Sequence, residues 1–437
     1  TSPDFEEVRN AVLCCPPTIK DSNQAIPQYS LLGSRIDGHG ETGQDPRIFL
    51  NTNVPFSAFV CGLQGSGKSH TVSCMIENFL IPFPMLGVLH RPLSALAFHY
   101  AEHTSSSTFR PSELAFVANF AEKFSGYSRA PSVVVLVSPS SYPSLKTSYS
   151  RIPGVCVRPF KIHPRTLTIG MMLALMSVNQ DQTPPLYISQ VTNILRQMSA
   201  TGTGEFEYAS FRQRLRDTEF DRKQRAYLDQ RLNLLESFLD LSGKSRQPEF
   251  TGGQLTVIDL SCPFMDDNTA CVLFRVAMSM FLDSEGSPGK VIVVDEAHKF
   301  MRDTPAAKDL TEALLCVVRE QRHYGARVII STQEPTISPK LIELCSLTVV
   351  HRFSSPSWFE SLKRHISIEP ENDPSDLRPG GLFRAISSLR TGEALVFPPA
   401  SGVRLTASGK PQSGRELLHM AIRQRITCDG GRSIVCI

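Results

Sequence analysis

The chain has no Cys-x-x-Cys pair, although it holds eleven cysteines. That absence removes the usual zinc-finger and zinc-ribbon spacings. It has no run approaching about 18 apolar residues, so no transmembrane helix and no membrane insertion is expected. It has no large charge excess either: 45 Lys and Arg stand against 42 Asp and Glu, a net charge of +3. Such a balance does not by itself imply a nucleic-acid partner. No internal repeat is visible, and a solenoid or propeller would show one.

What remains is the composition of a globular protein. At 437 residues and 41% apolar content, the chain exceeds one small core, which sets the expectation of one large α/β domain or two domains. The cysteines are scattered and odd in number, and Cys14 and Cys15 are adjacent. Cys61 and Cys74 fall in expected core elements. Mostly reduced, structural thiols in an intracellular protein, of cytoplasm or nucleus, are therefore expected. Residue 1 is Thr, so a trimmed chain that has lost any targeting segment is compatible with the sequence.

The first motif with chemistry is Gly62-Leu63-Gln64-Gly65-Ser66-Gly67-Lys68-Ser69. It fits the phosphate-binding loop pattern Gly-x4-Gly-Lys-Ser/Thr. Apolar Phe56 to Cys61 precedes it as an expected strand. Ser69 to Leu80 follows with apolar residues at helical spacing. Strand, glycine loop, helix is the context that such a loop needs. The glycines let successive backbone N–H groups converge on one point, and the helix N-terminus adds partial positive charge there. Lys68 is expected on the β- and γ-phosphates and Ser69 on Mg²⁺. The candidate nucleotide-binding set is Gly62 to Ser69 together with His70, next along the helix.

A second motif, Val291-Ile-Val-Val-Asp295-Glu296, is a continuous apolar strand ending in two carboxylates. Such a strand suits the centre of a parallel sheet, and its carboxyl end is where α/β sheets bind ligands. Asp295 is expected in the magnesium shell and Glu296 as the residue that polarises the attacking water. A third strand, Arg327 to Gln333, ends in Thr332 and Gln333. Gln333 is expected near the γ-phosphate or the lytic water, with one crossover helix, about Ala306 to His323, between the two strands.

The rest of the chain gives boundaries. Residues 1–46 look like an irregular lead-in, and 47–159 like the first part of an ATPase core. Strands are expected at Arg47–Leu50, Ser94–Tyr100 and Val133–Val137, a helix at Pro111–Phe124 and a loop at Ser138–Ser144. Residues 160–250 read as a helical insertion, with apolar periodicity over Leu167–Met176, Tyr187–Met198 and Phe211–Leu241. Its third segment carries Arg212, Arg214, Arg216, Arg222, Lys223, Arg225 and Arg231, but Asp217, Glu219, Asp221 and Asp229 interleave, which favours a solvated face over a nucleic-acid contact. Residues 251–400 form the second part of the core, with strands at Leu255–Leu260, Leu347–Arg352 and Ala394–Phe397 and a helix at Asn268–Leu282. Residues 401–437 are expected to pack back as a tail, with a helix and a strand from Arg415 on.

Asp259 to Arg352 resembles the HerA/FtsK superfamily of P-loop ATPases, and its HerA branch in particular. The ordered pieces are Asp259-Leu-Ser261, Asp295-Glu-Ala-His298, Arg322-His-Tyr-Gly325, Thr332-Gln-Glu-Pro335, the segment Ile337 to Cys345, His351-Arg352 and Thr391-Gly-Glu-Ala394. The resemblance spans roughly residues 50–100 and 250–400. It implies a central, mainly parallel RecA/HerA-like sheet of the additional-strand, catalytic-glutamate class. It also implies ATP and Mg²⁺, and a homo-oligomeric ring, hexamers included, that moves DNA. Arg322 and Arg352 are its candidate trans-acting or γ-phosphate-sensing residues. The chain departs from the family at Glu334, where the family has Arg, in its short N-terminal region, and in the insertion.

Other readings have less support. A DEAH-type helicase is expected to have a second ATPase-like domain with an arginine-rich final motif, and no such motif appears in the 142 residues (437 − 295) given after Asp295. A GTPase needs an Asn-Lys-x-Asp or Thr-Lys-x-Asp motif, and neither is present. The open alternative is a nucleotide-dependent regulatory ATPase that acts through protein partners without translocation.

Overall fold

A computed structural model describes residues 9–21, 26–36, 45–101, 109–126, 129–169, 172, 186–201, 206–243, 245–263, 265–287, 289–334, 337–365, 379–398, 401–405, 411–414 and 417–430. Among them one sheet of sixteen strands organises the chain. In chain order they begin β1 (Leu13–Cys14), β2 (Tyr29–Arg35), β3 (Arg47–Asn51), β4 (Ser57–Cys61), β5 (Gly87–Val88), β6 (Ser94–His99), β7 (Ser132–Val137) and β8 (Val155–Pro159). They continue β9 (Gln254–Asp259), β10 (Lys290–Val294), β11 (Ala326–Thr332), β12 (Leu347–Val350), β13 (Glu393–Phe397), β14 (Ser401–Leu405), β15 (Pro411–Gly414) and β16 (Leu418–Ile422).

Half of the sheet is parallel, in the order β12-β4-β11-β10-β6-β9-β7-β8. Its central strands are buried on both faces, so alternation is lost and they read as apolar runs: β4, β10 and β11 are buried at every position. Alternate residues still serve different layers. Val291 and Val293 pack with the Lys68–Leu80 helix and with Leu114, Val117 and Tyr149. Ile292 and Val294 pack against the Asp267–Leu282 and Pro305–Arg319 helices and the insertion. A doubly wound α/β layer results, as the sequence suggests.

The other half is mainly antiparallel, although β1 and β14 pair in parallel. β13 pairs with β12 and β16, β16 with β2, and β2 with β3. Strands therefore stand where an irregular lead-in is read: β1 and β2, with the helix Pro16–Asp21 between them. β2 completes its pairing with β16, which is about 390 residues away in sequence, and no local pattern announces such a partner. The tail likewise supplies β16, and no helix lies within 417–430. Positions 415–416 and 431–437 fall outside the described residues.

Three further local differences have local causes. Pro111–Phe124 is not one helix but two 3-10 turns, Glu113–Ala118 and Glu122–Phe124. Between them the chain extends, because Phe120 bridges to Thr427 and Asn119 accepts from the Cys428 N–H. The expected loop at Ser138–Ser144 runs into a helix, Tyr142–Tyr149, with Pro143 in its first turn, where proline is tolerated. The long insertion segment splits into Tyr208–Asp217 and Arg222–Phe238. Asp221 and Gln224 form a reciprocal capping box that starts the second helix. Most of the expected Leu167–Met176 helix lies outside the described residues.

The ten described cysteines are free thiols, most of them buried. No described helix is long and apolar enough to cross a membrane.

Candidate functional site

β4 delivers the chain to the loop at Cys61, and Gly62, Gly65 and Gly67 carry positive φ angles of 152°, 74° and 117°. Gly62 is required sterically. A Cβ there would lie 2.6 Å from the His351 Cβ and 2.7 Å from the Ser66 Oγ. Gly62→Ala is therefore expected to lower stability by about 1–3 kcal/mol, read as a shifted denaturant midpoint at constant slope. An unshifted midpoint would refute this packing. Gly67 caps the Lys68–Leu80 helix in a left-handed conformation with no side-chain cap. The first N–H groups of that helix are thus available to an anion. Gln64 and Gly65 are exposed at the mouth.

Lys68 is 4% exposed, and its Nζ donates to the Leu63 carbonyl at 3.1 Å. Burial lowers its pKa, and the Glu296 and Asp295 carboxylates act against that shift. Leu63 is a local hub. Its N–H donates to the Arg352 carbonyl at 3.0 Å and its carbonyl accepts from the Ser66 hydroxyl at 2.7 Å. The His70 Nε2 lies 2.8 Å from the Arg423 carbonyl, which can only accept, so the ring faces the C-terminal segment.

The strand register sets the acids beside this loop. Val294 pairs with Ile330, and Ile330 with Phe59. Asp295 thus stands level with the last residues of β4, two strands or about 10 Å away. Having the parity of Val291 and Val293, it points to the face of the loop helix. Asp295 is 5% exposed. Burial first, and the Glu296 charge next, push its carboxyl up to about 6. Glu296 follows with φ 51°, the one positive-φ non-glycine among the described residues. Its Oε2 accepts from the Gln333 Nε2 at 2.8 Å. β11 brings Gln333 there by ending at Thr332, paired with Cys61.

The structure brings Lys68, Ser69, Asp295, Glu296 and Gln333 to one sheet edge and keeps one expected residue away. Arg322 is exposed on the turn Gln321–Tyr324, ahead of β11. The length of β11, roughly 20 Å at about 3.3 Å per residue, separates it from the loop of its own chain. Arg352 is exposed beside the loop, just after β12.

Three residues join the site that motif reading assigned no role. His351 is fully buried beneath Gly62 and Gly67. Its Nδ1 faces the Glu393 carbonyl at 2.9 Å and its Nε2 the Thr71 hydroxyl at 2.9 Å, so Nδ1 carries the proton. Burial drives its pKa down to about 4, which makes it a neutral strut. His99 pairs in register with Asp259 and stands level with Asp295, and both of its ring nitrogens are buried without a protein partner. Glu113 adds a carboxylate near enough to influence both Lys68 and Asp295. The signal for His99 was an apolar strand ending in a polar residue, as at Asp295; Glu113 gave none.

Magnesium would be held by the Ser69 hydroxyl and the Asp295 carboxylate. Among the described residues no three His, Cys, Asp or Glu side chains form a cage, and magnesium does not need one, because phosphates and waters complete its shell. The buried carboxylate fits a divalent cation, which would favour its ionised form. When bound, the ion would neutralise phosphate charge.

A phosphate loop on β4, an Asp-Glu pair after β10, and β11 inserted between them define a P-loop NTPase fold with an additional strand between the two motifs. No protein-family model matches the chain, and no curated protein matches it by sequence. Solved structures align with it over most of their length. VirB4 of Thermoanaerobacter pseudethanolicus does so at 11% identity and a TM-score of 0.49, covering 91% of this chain and 97% of its own. The unbound bacterial conjugative coupling protein TrwBdeltaN70 does so at 12% identity and 0.48, covering 92% and 96%. The genome packaging NTPase B204 of Sulfolobus turreted icosahedral virus 2, in complex with ATP-gammaS, aligns at 10% identity and 0.32, covering 83% and 98%. The class stands on this chain's own strand order and loop geometry.

Proposed function

We propose that this chain binds ATP with Mg²⁺ and hydrolyses it, as an ATPase of HerA/FtsK type that works in a homo-oligomeric ring and moves DNA. The observation that carries the hydrolytic part is the Glu296 carboxylate, held 2.8 Å from the Gln333 amide beside the loop lysine. Phosphoryl transfer to water needs an oriented nucleophile more than covalent chemistry, and a fixed carboxylate supplies it. Lys68 takes the β- and γ-phosphates, Ser69 and Asp295 take the metal, and Gln333 senses the γ-phosphate. The ordered motifs from Asp259 to Arg352 support the motor reading.

The place of Arg322 supports the ring. It is exposed and about one strand length from its own loop, so it can serve phosphates only across a subunit boundary. Arg322→Ala and Lys68→Ala are each expected to be inactive alone. Mixed, they are expected to regain part of the parental rate, since some boundaries then pair an intact loop with an intact arginine. No regain at any mixing ratio would remove Arg322 from the site.

The test of function is the ATPase rate with and without duplex DNA, beside native mass measurement with ATP. Stimulation by DNA and a closed oligomer support the motor. Hydrolysis indifferent to nucleic acid supports the regulatory ATPase instead.

A further inference from the structure

We infer that His298 is the positioning residue of the hydrolytic step: it ties the β11 sensor end to Glu296 and keeps that carboxylate aimed. The inference rests on the hydrolytic reading above and assigns a residue to which that reading gives no role.

His298 occupies the short 3-10 turn Ala297–Lys299 that follows Glu296. The turn is fixed from beneath: Ala297 is fully buried, its carbonyl accepts from the Met301 N–H at 2.8 Å, and the Glu296 carbonyl accepts from the Lys299 N–H at 2.9 Å. The imidazole consequently lies between two strands of the site. On one side its Nδ1 lies 3.4 Å from the Gln333 backbone N–H. That group can only donate, so Nδ1 is the acceptor. The Thr332 hydroxyl, 3.5 Å from Nδ1, directs its proton to the Glu334 carbonyl at 2.9 Å and so does not compete with the Gln333 N–H for the Nδ1 lone pair. The ring proton therefore sits on Nε2, and Nε2 faces the Glu296 Oε2 at 3.4 Å.

Glu296 needs such a donor. Its backbone is left-handed, a conformation that costs a non-glycine residue about 1–3 kcal/mol and persists only where the surroundings fix it. Two side-chain N–H groups converge on its Oε2, from Gln333 and from His298. They are not equivalent. A γ-phosphate within reach of the Gln333 amide competes with Glu296 for it, whereas the His298 ring is pinned through the Gln333 backbone. His298 is thus the donor that stays with the carboxylate while the amide changes partner. Burial lowers the His298 pKa, so it acts as a neutral, oriented N–H and not as a counter-ion.

The test compares three variants of the full chain by steady-state hydrolysis and by binding of a fluorescent ATP analogue. His298→Ala is expected to lower kcat at least about tenfold, the scale of a lost positioning contact, while analogue affinity stays within about twofold. His298→Gln restores an N–H near the Nε2 position and is expected to recover most of the rate. His298→Asn places its amide near Nδ1 and is expected to stay as slow as Ala. Parental kcat in His298→Ala, or equal recovery by Gln and Asn, would overturn the inference. If Ala also loses analogue binding through misfolding, the Gln–Asn contrast decides. Absent hydrolysis in the parent would sink the functional reading instead. In that case the ¹⁵N spectrum of His298 still decides the arrangement: a protonated Nδ1 refutes it.

Discussion

Glu296→Gln is expected to cut ATP turnover by about 10²–10⁴-fold, the range for a lost general base, with nucleotide affinity unchanged within about twofold. Gln is isosteric with Glu, and its carbonyl oxygen can still accept from the Gln333 amide that now bonds Oε2 at 2.8 Å. The packing around the left-handed backbone is therefore kept. What is lost is the negative charge that accepts a proton from, or orients, the attacking water. Lys68→Ala is expected to separate the other half of the site. Lys68 is 4% exposed, and its ammonium reaches the loop carbonyl of Leu63. Removing it takes the positive charge away from the phosphates, so the loss falls on binding itself. Equilibrium binding of an ATP analogue and single-turnover hydrolysis, measured on both variants, give the split. Gln at 296 with the parental single-turnover rate would exclude Glu296 as the water-orienting residue. Tight binding by Lys68→Ala would exclude the loop assignment.

The site was legible where chemistry imposes a fixed local spacing. The loop from Gly62 to Ser69 and the strand ending at Asp295 are each contiguous in sequence, and each needs only a strand to deliver it. Asp295 and the loop meet because β10, β11 and β4 lie side by side in register. Apolar runs announce such strands but not their order. Residues contributed by other connections left weaker marks. His351 is an unremarkable histidine after β12 until its ring is seen to fill the space under Gly62. His99 acquires meaning only by standing level with Asp295. The antiparallel half was the least visible: β2 and β1 each pair with nearby β3, but β2 also meets β16, and β1 meets β14, across about 390 residues. The insertion's described helices were visible through their period, and the split at Asp221 follows from a capping box whose two residues were both in view.

Glu77→Ala is expected to cost about 3–5 kcal/mol of stability, the penalty for breaking a buried ion pair by deleting one partner. Glu77 lies on the phosphate-loop helix and its side chain is fully buried. One oxygen accepts from the Arg423 guanidinium at 2.7 Å and from the Ile426 N–H at 3.2 Å. The other accepts from the Thr427 N–H at 2.9 Å and from the Thr427 hydroxyl. Truncation leaves Arg423, 6% exposed, with only neutral acceptors: the carbonyls of Leu31, Cys74 and Gln424 and the Asn78 side chain. Arg425 is better placed, since it keeps Asp429 at 3.7 Å. The uncompensated charge is therefore mainly that of Arg423. Two backbone N–H groups also lose their acceptor, each worth about 1–3 kcal/mol when buried and unpaired. The helix is held by the same segment at His70 and Cys74, through the Arg423 carbonyl. Loss of the carboxylate should thus release residues 423–428 before the parallel sheet unfolds, seen as faster protease cleavage in that segment. The double variant Glu77→Leu with Arg423→Met removes both charges and is expected to recover part of the loss, because a well-packed apolar pair avoids the desolvation of the ions. An unfolding free energy within about 1 kcal/mol of the parent for Glu77→Ala would show that the C-terminal return is held to the loop helix by packing alone, and no recovery in the double variant would show that an apolar pair cannot stand in for the ions.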